Sequence, residues 1–358
     1  MVVLPIVAWL ASTGPRWAGD TPTYAAWADG LIAAKFNVAE FLRSHTFAAP
    51  LLLYIGWIVI VAIAKITAGA LWPWVLLAIN GLAIWLMVRA TLRFVATRHT
   101  LAAGGMAAAW LAVSPDIWIF GPLLLSDLWF TALTALALTS ALKPRPQFAY
   151  AAGFAVLAAI TRPTAAPLLL CLLAVVSGAV NWSTRSAARS TAVAVVVALS
   201  VLIVHAWLMT TSVVLPEWFR IWGTRLREHY ATGVVVVARP ETFVEPAVTL
   251  ASAILLTLRK WLYFFSPWLP GYSVRHTAIN VLWFAPLYAG MLYAVWRAPH
   301  RAAVHALLLF VGLLSGFHAL QELDFDQRYR IPGLWAMAAL ASLAIPTGAR
   351  VTEAGARN

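Results

Sequence analysis

The stretch LWPWVLLAINGLAIWLMVRATLR, residues 71–93, decides the fold class. From Leu71 to Val88 it carries no charged side chain, and Arg89 and Arg93 then punctuate it. Roughly 20 apolar residues, each rising ~1.5 Å in a helix, match the ~30 Å hydrocarbon core of a bilayer. Apolar runs with similar basic punctuation recur along the chain. The expected spans are 1–13, 71–93, 100–113, 122–142, 148–161, 163–181, 190–212, 279–296, 303–320 and 331–347. Segments 50–65 and 247–265 are also apolar but ambiguous. The expected fold is all-α: a polytopic helical membrane protein of about ten transmembrane helices plus interfacial helices, forming one domain over residues 1–358.

Composition agrees. Hydrophobic residues make up 62% of the 358 residues and charged residues 11%, against about 25% charged in a soluble domain. Such a chain cannot cover itself with polar groups, so lipid must cover it. The net charge of +12 would point to nucleic acid in a soluble protein. Here the basic residues lie between apolar segments, where they set orientation and meet anionic headgroups. Membrane lipids are therefore expected partners and nucleic acid is not. The single cysteine, Cys171, lies in an apolar run and excludes an intramolecular disulfide or a cysteine-cluster metal site. Residues 1–12 would rise only ~18 Å as a helix. With no basic residue before them and no clear cleavage pattern, they read as a shortened first span, not a signal peptide.

Charge orders the spans. If the two ambiguous segments lie in the outer leaflet, Arg89, Arg93, Arg98, Lys143, Arg145, Arg185, Arg189, Arg297, Arg301, Arg350 and Arg357 all fall on one side, the cytoplasmic one. All acids but Glu353 then lie on or near the opposite side. The outer loops are 14–70 and 213–278. In the second, EWFRIWGTRLREHY places Trp218, Ile221, Trp222 and Leu226 at helical spacing with Arg220, Arg225 and Arg227 between them. That pattern suits an interfacial helix, acting as an anchor or as a flap over a headgroup site.

Four outer-face stretches could carry chemistry. In GDTPTYAAWADGL, residues 19–31, Asp20 is a good N-cap and Pro22 suits a first turn. A carboxylate at the outer end of a span could also accept a proton from an acceptor hydroxyl. In SPDIWIFGPLLLSDLWF, residues 114–130, Asp127 lies just inside an apolar span, where an acid normally faces a partner or cavity. Ser126 is a candidate cap, and Asp116 follows Pro115. In AAITRPTAAPLLL, residues 158–170, Pro163 breaks the helix beside Arg162, which either snorkels to water or binds a lipid phosphate. In QELDFDQRYRIPGLW, residues 321–335, Glu322, Asp324, Asp326, Arg328 and Arg330 crowd one loop, either as a mutually paired cluster or as cations placed for a lipid-linked phosphate. His205, His305 and His318 read as packed histidines, while His229 and His276 are weak site candidates. No HExxH, P-loop, GxSxG or EF-hand pattern occurs.

Together these four stretches, in this order and on one side, resemble the GT-C superfamily of membrane glycosyltransferases, which includes protein O-mannosyltransferases and aminoarabinose transferases. The resemblance spreads over most of the chain. It implies a polyprenyl-phosphate sugar donor used at the outer face, with a glycan, lipid or protein as acceptor. It maps the first-loop acid of the family onto Asp20 as base, and the acid of the SD pattern onto Asp127. Arg328 beside Tyr329 maps as a phosphate contact, and Arg162 matches the common Arg-Pro. Arg330 joins the cations for the donor phosphate, and Tyr24, Asp116 and Tyr329 complete the expected substrate contacts. Several family members carry two adjacent acids in the first loop. Asp20 has no such neighbour, which leaves a divalent metal open. The chain lacks the WWDYG motif of oligosaccharyltransferases, so transfer of a whole glycan to asparagine is not expected.

The chemistry is coherent on its own terms. A phosphate leaving group needs cations, which Arg162, Arg328 and Arg330 supply, and an acceptor hydroxyl needs a base. Direct displacement inverts the anomeric centre. Double displacement needs two carboxylates about the sugar, for which Asp20 with Asp127 or Asp116 stays open. The competing readings are a transporter or flippase for a lipid-linked saccharide and a non-catalytic scaffold. A flippase should spread polar residues through the depth of its spans, whereas here the acids gather at one side. The Ala-, Trp- and Arg-rich composition fits a GC-rich bacterial genome, hence an integral protein of the bacterial inner membrane with its site facing outside the cytoplasm.

Overall fold

A computed structural model describes residues 3–44, 52–180, 184–215, 217–235, 243–268, 272–297, 301–321 and 327–345. The apolar runs are helices, in the order α1 (Leu4–Thr13), α2 (Thr21–Ala33), α3 (Val38–Arg43), α4 (Ile55–Ala68), α5 (Trp72–Arg98), α6 (Leu101–Ala112), α7 (Pro115–Phe120), α8 (Asp127–Ala141), α9 (Phe148–Ala159), α10 (Ala166–Val176), α11 (Thr184–Thr210), α12 (Glu217–Thr232), α13 (Leu250–Phe265), α14 (Val274–Arg297), α15 (Arg301–Gln321) and α16 (Ile331–Leu343). A two-residue hairpin, β1 (Val234–Val235) against β2 (Phe243–Val244), follows α12. The fold is all-α.

Among the described residues, three helical stretches are long and apolar enough to cross a membrane: Ile55–Arg98, Val274–Trp296 and Ala302–Gln321. Residues 55–65 of the ambiguous segment 50–65 fall in the first of these, because α4 continues through a 3-10 turn, Gly69–Leu71, into α5. Gly69 takes φ +52° at that junction, a conformation glycine adopts without a Cβ clash. The run expected from residue 122 becomes helical only at Asp127. Residues 122–124 instead pair with the first loop. Large apolar side chains such as Leu170, Leu173, Leu282, Leu292 and Trp296 point outward, as they would with lipid as the solvent.

The centre is α16, in which all the residues from Ile331 to Leu343 are buried. A helix apolar on every side can be covered by protein or by lipid, and here α5, α6, α8, α14 and α15 surround it. Small residues let backbones approach. A Cβ on Gly290 of α14 would stand 2.8 Å from the Cβ of Ala341.

Two features bring distant loops together. Arg16 N donates to Pro122 O at 2.8 Å and Leu124 N donates to Arg16 O at 3.1 Å, so the first loop is stitched to the segment before α8. Beneath them Asn80 of α5, fully buried, donates its amide to Gly121 O at 3.0 Å and Leu123 O at 2.8 Å. Gly56 N of α4 donates to Ile160 O at 2.7 Å and ties α4 to the break beyond α9.

The helix expected near residue 218 is α12. Leu226 and Tyr230 are buried and Arg225 is exposed, while the side chains of Trp218, Ile221 and Trp222 lie outside the described residues. Tyr230 Oη is 2.8 Å from Thr257 Oγ1, and Arg227 Nε donates to Leu208 O at 2.7 Å. These contacts fasten α12 to α11 and α13. Burial pushes the Tyr230 hydroxyl up to about 12, so it keeps its proton.

Candidate functional site

Asp20 precedes α2, as its Thr-Pro sequel indicates, but its side chain makes no capping hydrogen bond. That corrects the capping expectation. Its backbone is already helical, and Thr21 serves the turn instead. Thr21 Oγ1 accepts from Ala18 N at 3.0 Å and donates to Leu124 O at 3.3 Å. The Asp20 carboxylate is thereby left to the late loop, where Arg328 Nη1 donates to its Oδ2 at 2.6 Å. The Asp20 side chain is 43% exposed, so one edge of the carboxylate stays accessible to a substrate.

Asp127 and Arg162 form a second pair, both almost wholly buried. Arg162 occupies an extended residue between α9 and the 3-10 turn Pro163–Ala165. Proline forces that conformation on the residue before it, and the break turns the guanidinium inward. Arg162 Nη1 also donates to Ser126 Oγ at 3.4 Å. Ser126 does not cap α8, which corrects that expectation as well. Tyr24 lies close by, 4% exposed, its ring 5.8 Å from that of Tyr54. Burial, then the neighbouring Tyr54, raises its pKa, so Tyr24 stays a hydroxyl. Arg162 lies within the fields of Asp127, Tyr54, Tyr24 and Arg328, so the first two pairs share one electrostatic site.

The third pair is Asp116 with Arg330. Arg330 Nε donates to Asp116 Oδ2 at 2.6 Å and Nη2 to Oδ1 at 3.0 Å, while Nη1 donates to Ser266 O at 2.7 Å. The guanidinium also lies 3.8 Å from the ring centre of Phe284. Burial alone would weaken the Arg330 cation, but Asp116 outweighs it and its pKa stands above the ordinary value. Every guanidinium nitrogen is engaged, and neither partner reaches solvent. Tyr329 lies between the two arginines. Its hydroxyl accepts from Arg328 Nη2 at 3.0 Å and its ring is 4.6 Å from that of His318.

Asp20, Tyr24, Asp127, Arg162, Arg328 and Tyr329 are thus drawn together, while Asp116 and Arg330 form a separate sealed pair. Glu322, Asp324 and Asp326 lie outside the described residues. Three groups near the site were not singled out from sequence: Tyr54, buried Lys260 and the Asp29–Lys65 pair at 2.5 Å. Lys260 carried a signal, a cation within an apolar segment. A cavity of about 760 Å³ between α1 and α5, lined by Leu10, Trp74, Leu82 and Arg89, contains none of the candidate acids. It is apolar and lacks the groups that proton transfer needs.

Among the described residues no three His, Cys, Asp or Glu side chains converge to hold a metal ion. The three candidate acids are instead neutralised by separate arginines. That donor set does not fit a divalent cation, and no chemical step is assigned to one. No protein-family model, curated protein or solved structure matches the chain.

Proposed function

We propose that the chain is a polyprenyl-phosphate-dependent glycosyltransferase of the GT-C kind, held in the bacterial inner membrane by about ten transmembrane helices with its site on the extracytoplasmic face. The observation that carries this reading is the contact between Asp20 and Arg328, an accessible carboxylate beside a cation, next to the buried Asp127–Arg162 pair. A base and a phosphate-binding cation at one accessible point are what transfer from a phosphate-linked sugar requires.

In the proposed reaction the acceptor hydroxyl oxygen attacks the anomeric carbon. The bond from that carbon to the donor phosphate oxygen breaks, and its electron pair leaves with polyprenyl phosphate. The hydroxyl proton passes to Asp20. Arg328, backed by Arg162, stabilises the charge growing on the phosphate. As the phosphate engages Arg328, the Asp20 oxygen held by that arginine is released toward the acceptor. Asp127 and Asp116 are buried against their arginines and Asp20 is partly exposed beside its own, which favours direct displacement with one accessible carboxylate and inversion at the anomeric carbon. Arg330 is assigned to the frame with Asp116 and not to the donor, since its nitrogens are already engaged.

The test uses purified protein in vesicles with a labelled polyprenyl-phosphate sugar and candidate glycan, lipid and peptide acceptors. Label appearing on an acceptor supports the reading. Movement of labelled lipid between leaflets without transfer would replace it with the flippase.

A further inference from the structure

The cavity of about 760 Å³ beside α1 follows one face of α5. Trp74, Ala78, Gly81, Trp85, Arg89 and Arg93 line it at steps of three and four residues, which keeps them on one stripe. From Trp74 to Arg93 that stripe rises ~28 Å, close to the ~30 Å of bilayer hydrocarbon. Gly81 deepens the groove, because a Cβ there would meet only Leu10 Cδ1, at 3.9 Å. Leu4 and Val7 of α1 flank it, and they are exposed, as are Leu82 and Trp85 of α5.

Two arginines close one end. Arg89 and Arg93 lie one helical turn apart and both are exposed. Arg89 lies over the Trp85 ring, 4.8 Å from its centre. Among the described residues neither arginine makes an ion pair or a side-chain hydrogen bond, and no acid lines the groove. The other end of α5 lies against the first loop, where the rings of Trp72 and Trp17 pack edge-on with centres 5.7 Å apart. The arginines therefore stand ~25–30 Å along the helix from the loop that carries Asp20, far from the paired acids. An apolar channel that ends in two unpaired guanidinium groups fits an amphiphile with hydrocarbon along its length and an anion at its head. Guanidinium forks match phosphate oxygens. A zwitterionic headgroup would bring its own cation to the same place, whereas a lipid whose only charge is a phosphodiester would not.

We infer that the groove between α1 and α5 binds an anionic phospholipid of the leaflet remote from Asp20. An acyl chain lies along the stripe over Gly81, and the phosphodiester sits on Arg89 and Arg93. Trp85 holds the Arg89 guanidinium at the depth of the headgroup. The site draws on none of the residues of the proposed transfer reaction and stands whether or not that reaction does.

The experiment counts bound lipid. Full-length protein is placed in nanodiscs of equal phosphatidylglycerol and phosphatidylcholine, and the lipid it retains on release is read by native mass spectrometry. The wild type should prefer phosphatidylglycerol by about tenfold, and Arg89→Gln and Arg93→Gln should each cut that preference about fivefold, the worth of one basic residue at an anionic headgroup. Arg145→Gln removes an exposed basic residue outside the groove and should leave the preference unchanged. Gly81→Leu fills the groove without touching a charge and should lower retained phosphatidylglycerol as well. An undiminished preference in the folded double variant of Arg89 and Arg93 overturns the site, as does an equal loss in Arg145→Gln, since general surface charge would then suffice. Full retention in Gly81→Leu would leave a headgroup patch with no groove. Displacement of phosphatidylglycerol by an equal concentration of polyprenyl phosphate would overturn its assignment to a bilayer phospholipid. A wild-type dimer that Gly81→Leu splits would give the groove to a second copy of the chain.

Discussion

Asp20 and Arg328 stand 308 positions apart in the chain and meet at 2.6 Å. The stitch between Arg16 and residues 122–124 fixes one side of this contact, and the turn before the buried α16 fixes the other. Asp20→Asn keeps the shape and a hydrogen bond to Arg328 but cannot take a proton. The expected result is a protein that inserts at wild-type level and loses about 10²–10⁴-fold in transfer rate. Full transfer at equal protein level would remove Asp20 as the base.

Asp116 and Arg330 answer a different question. Both are sealed from solvent, so removing one strands a buried charge. Asp116→Leu should cost about 3–5 kcal/mol of stability, read as a lowered unfolding midpoint in detergent. Pairing it with Arg330→Met should restore most of that loss, because apolar groups of similar volume replace a buried ion pair at little net cost. If the pair is only a frame, the double variant still transfers sugar. A folded double variant that neither transfers nor binds polyprenyl phosphate would make Arg330 a donor contact instead.

The apolar runs could be read from the sequence because each one satisfies its own backbone as a helix, with no need to know its neighbours. The candidate acids and arginines could be read because charge is rare in such a chain. Their pairing could not. Asp20 is next to Thr21, and only the folded chain shows that Thr21 serves the turn and leaves the carboxylate to Arg328. Ser126 looked like a cap until Arg162, from a helix break 36 residues on, took its hydroxyl. His318 read as a packed histidine and is one, buried against Tyr329 and Phe264, whereas the inward turn of Lys260 on α13 is set by tertiary packing and had no local signal. The central place of α16 has no local signal either, since a helix apolar all round reads the same whether lipid or protein surrounds it.

Close helix approach gives a prediction with its own control. A Cβ on Gly104 of α6 would lie 2.7 Å from Leu92 O and 2.9 Å from the Cβ of Ala96 on α5, whereas a Cβ on Gly105 would meet nothing within 4 Å. Gly104→Ala should therefore push α5 and α6 apart and cost roughly 1–3 kcal/mol. Gly105→Ala should be neutral or stabilise by roughly 0.5–1 kcal/mol, since alanine loses less backbone freedom in a helix. Thermal unfolding of the two variants side by side checks the contrast, and equal effects would contradict the packing.

The sidedness of the site is the remaining premise, and the lone cysteine makes it testable in the native background. Cys171 is buried, with Sγ 3.2 Å from Ala306 O, and should not react with a membrane-impermeant maleimide. Glu40 of α3 and Arg145 of the loop between α8 and α9 are both exposed. Basic short loops stay in the cytoplasm, so Arg145→Cys should label in intact cells only after permeabilisation, and Glu40→Cys should label from outside. Asp20 and Glu40 both precede the first helical stretch long enough to span, Ile55–Arg98, so labelling at position 40 also reports the side the carboxylate faces. A reversed pattern would put Asp20 and Arg328 in the cytoplasm, away from a sugar presented on the outer leaflet, and the proposed donor would fall with it.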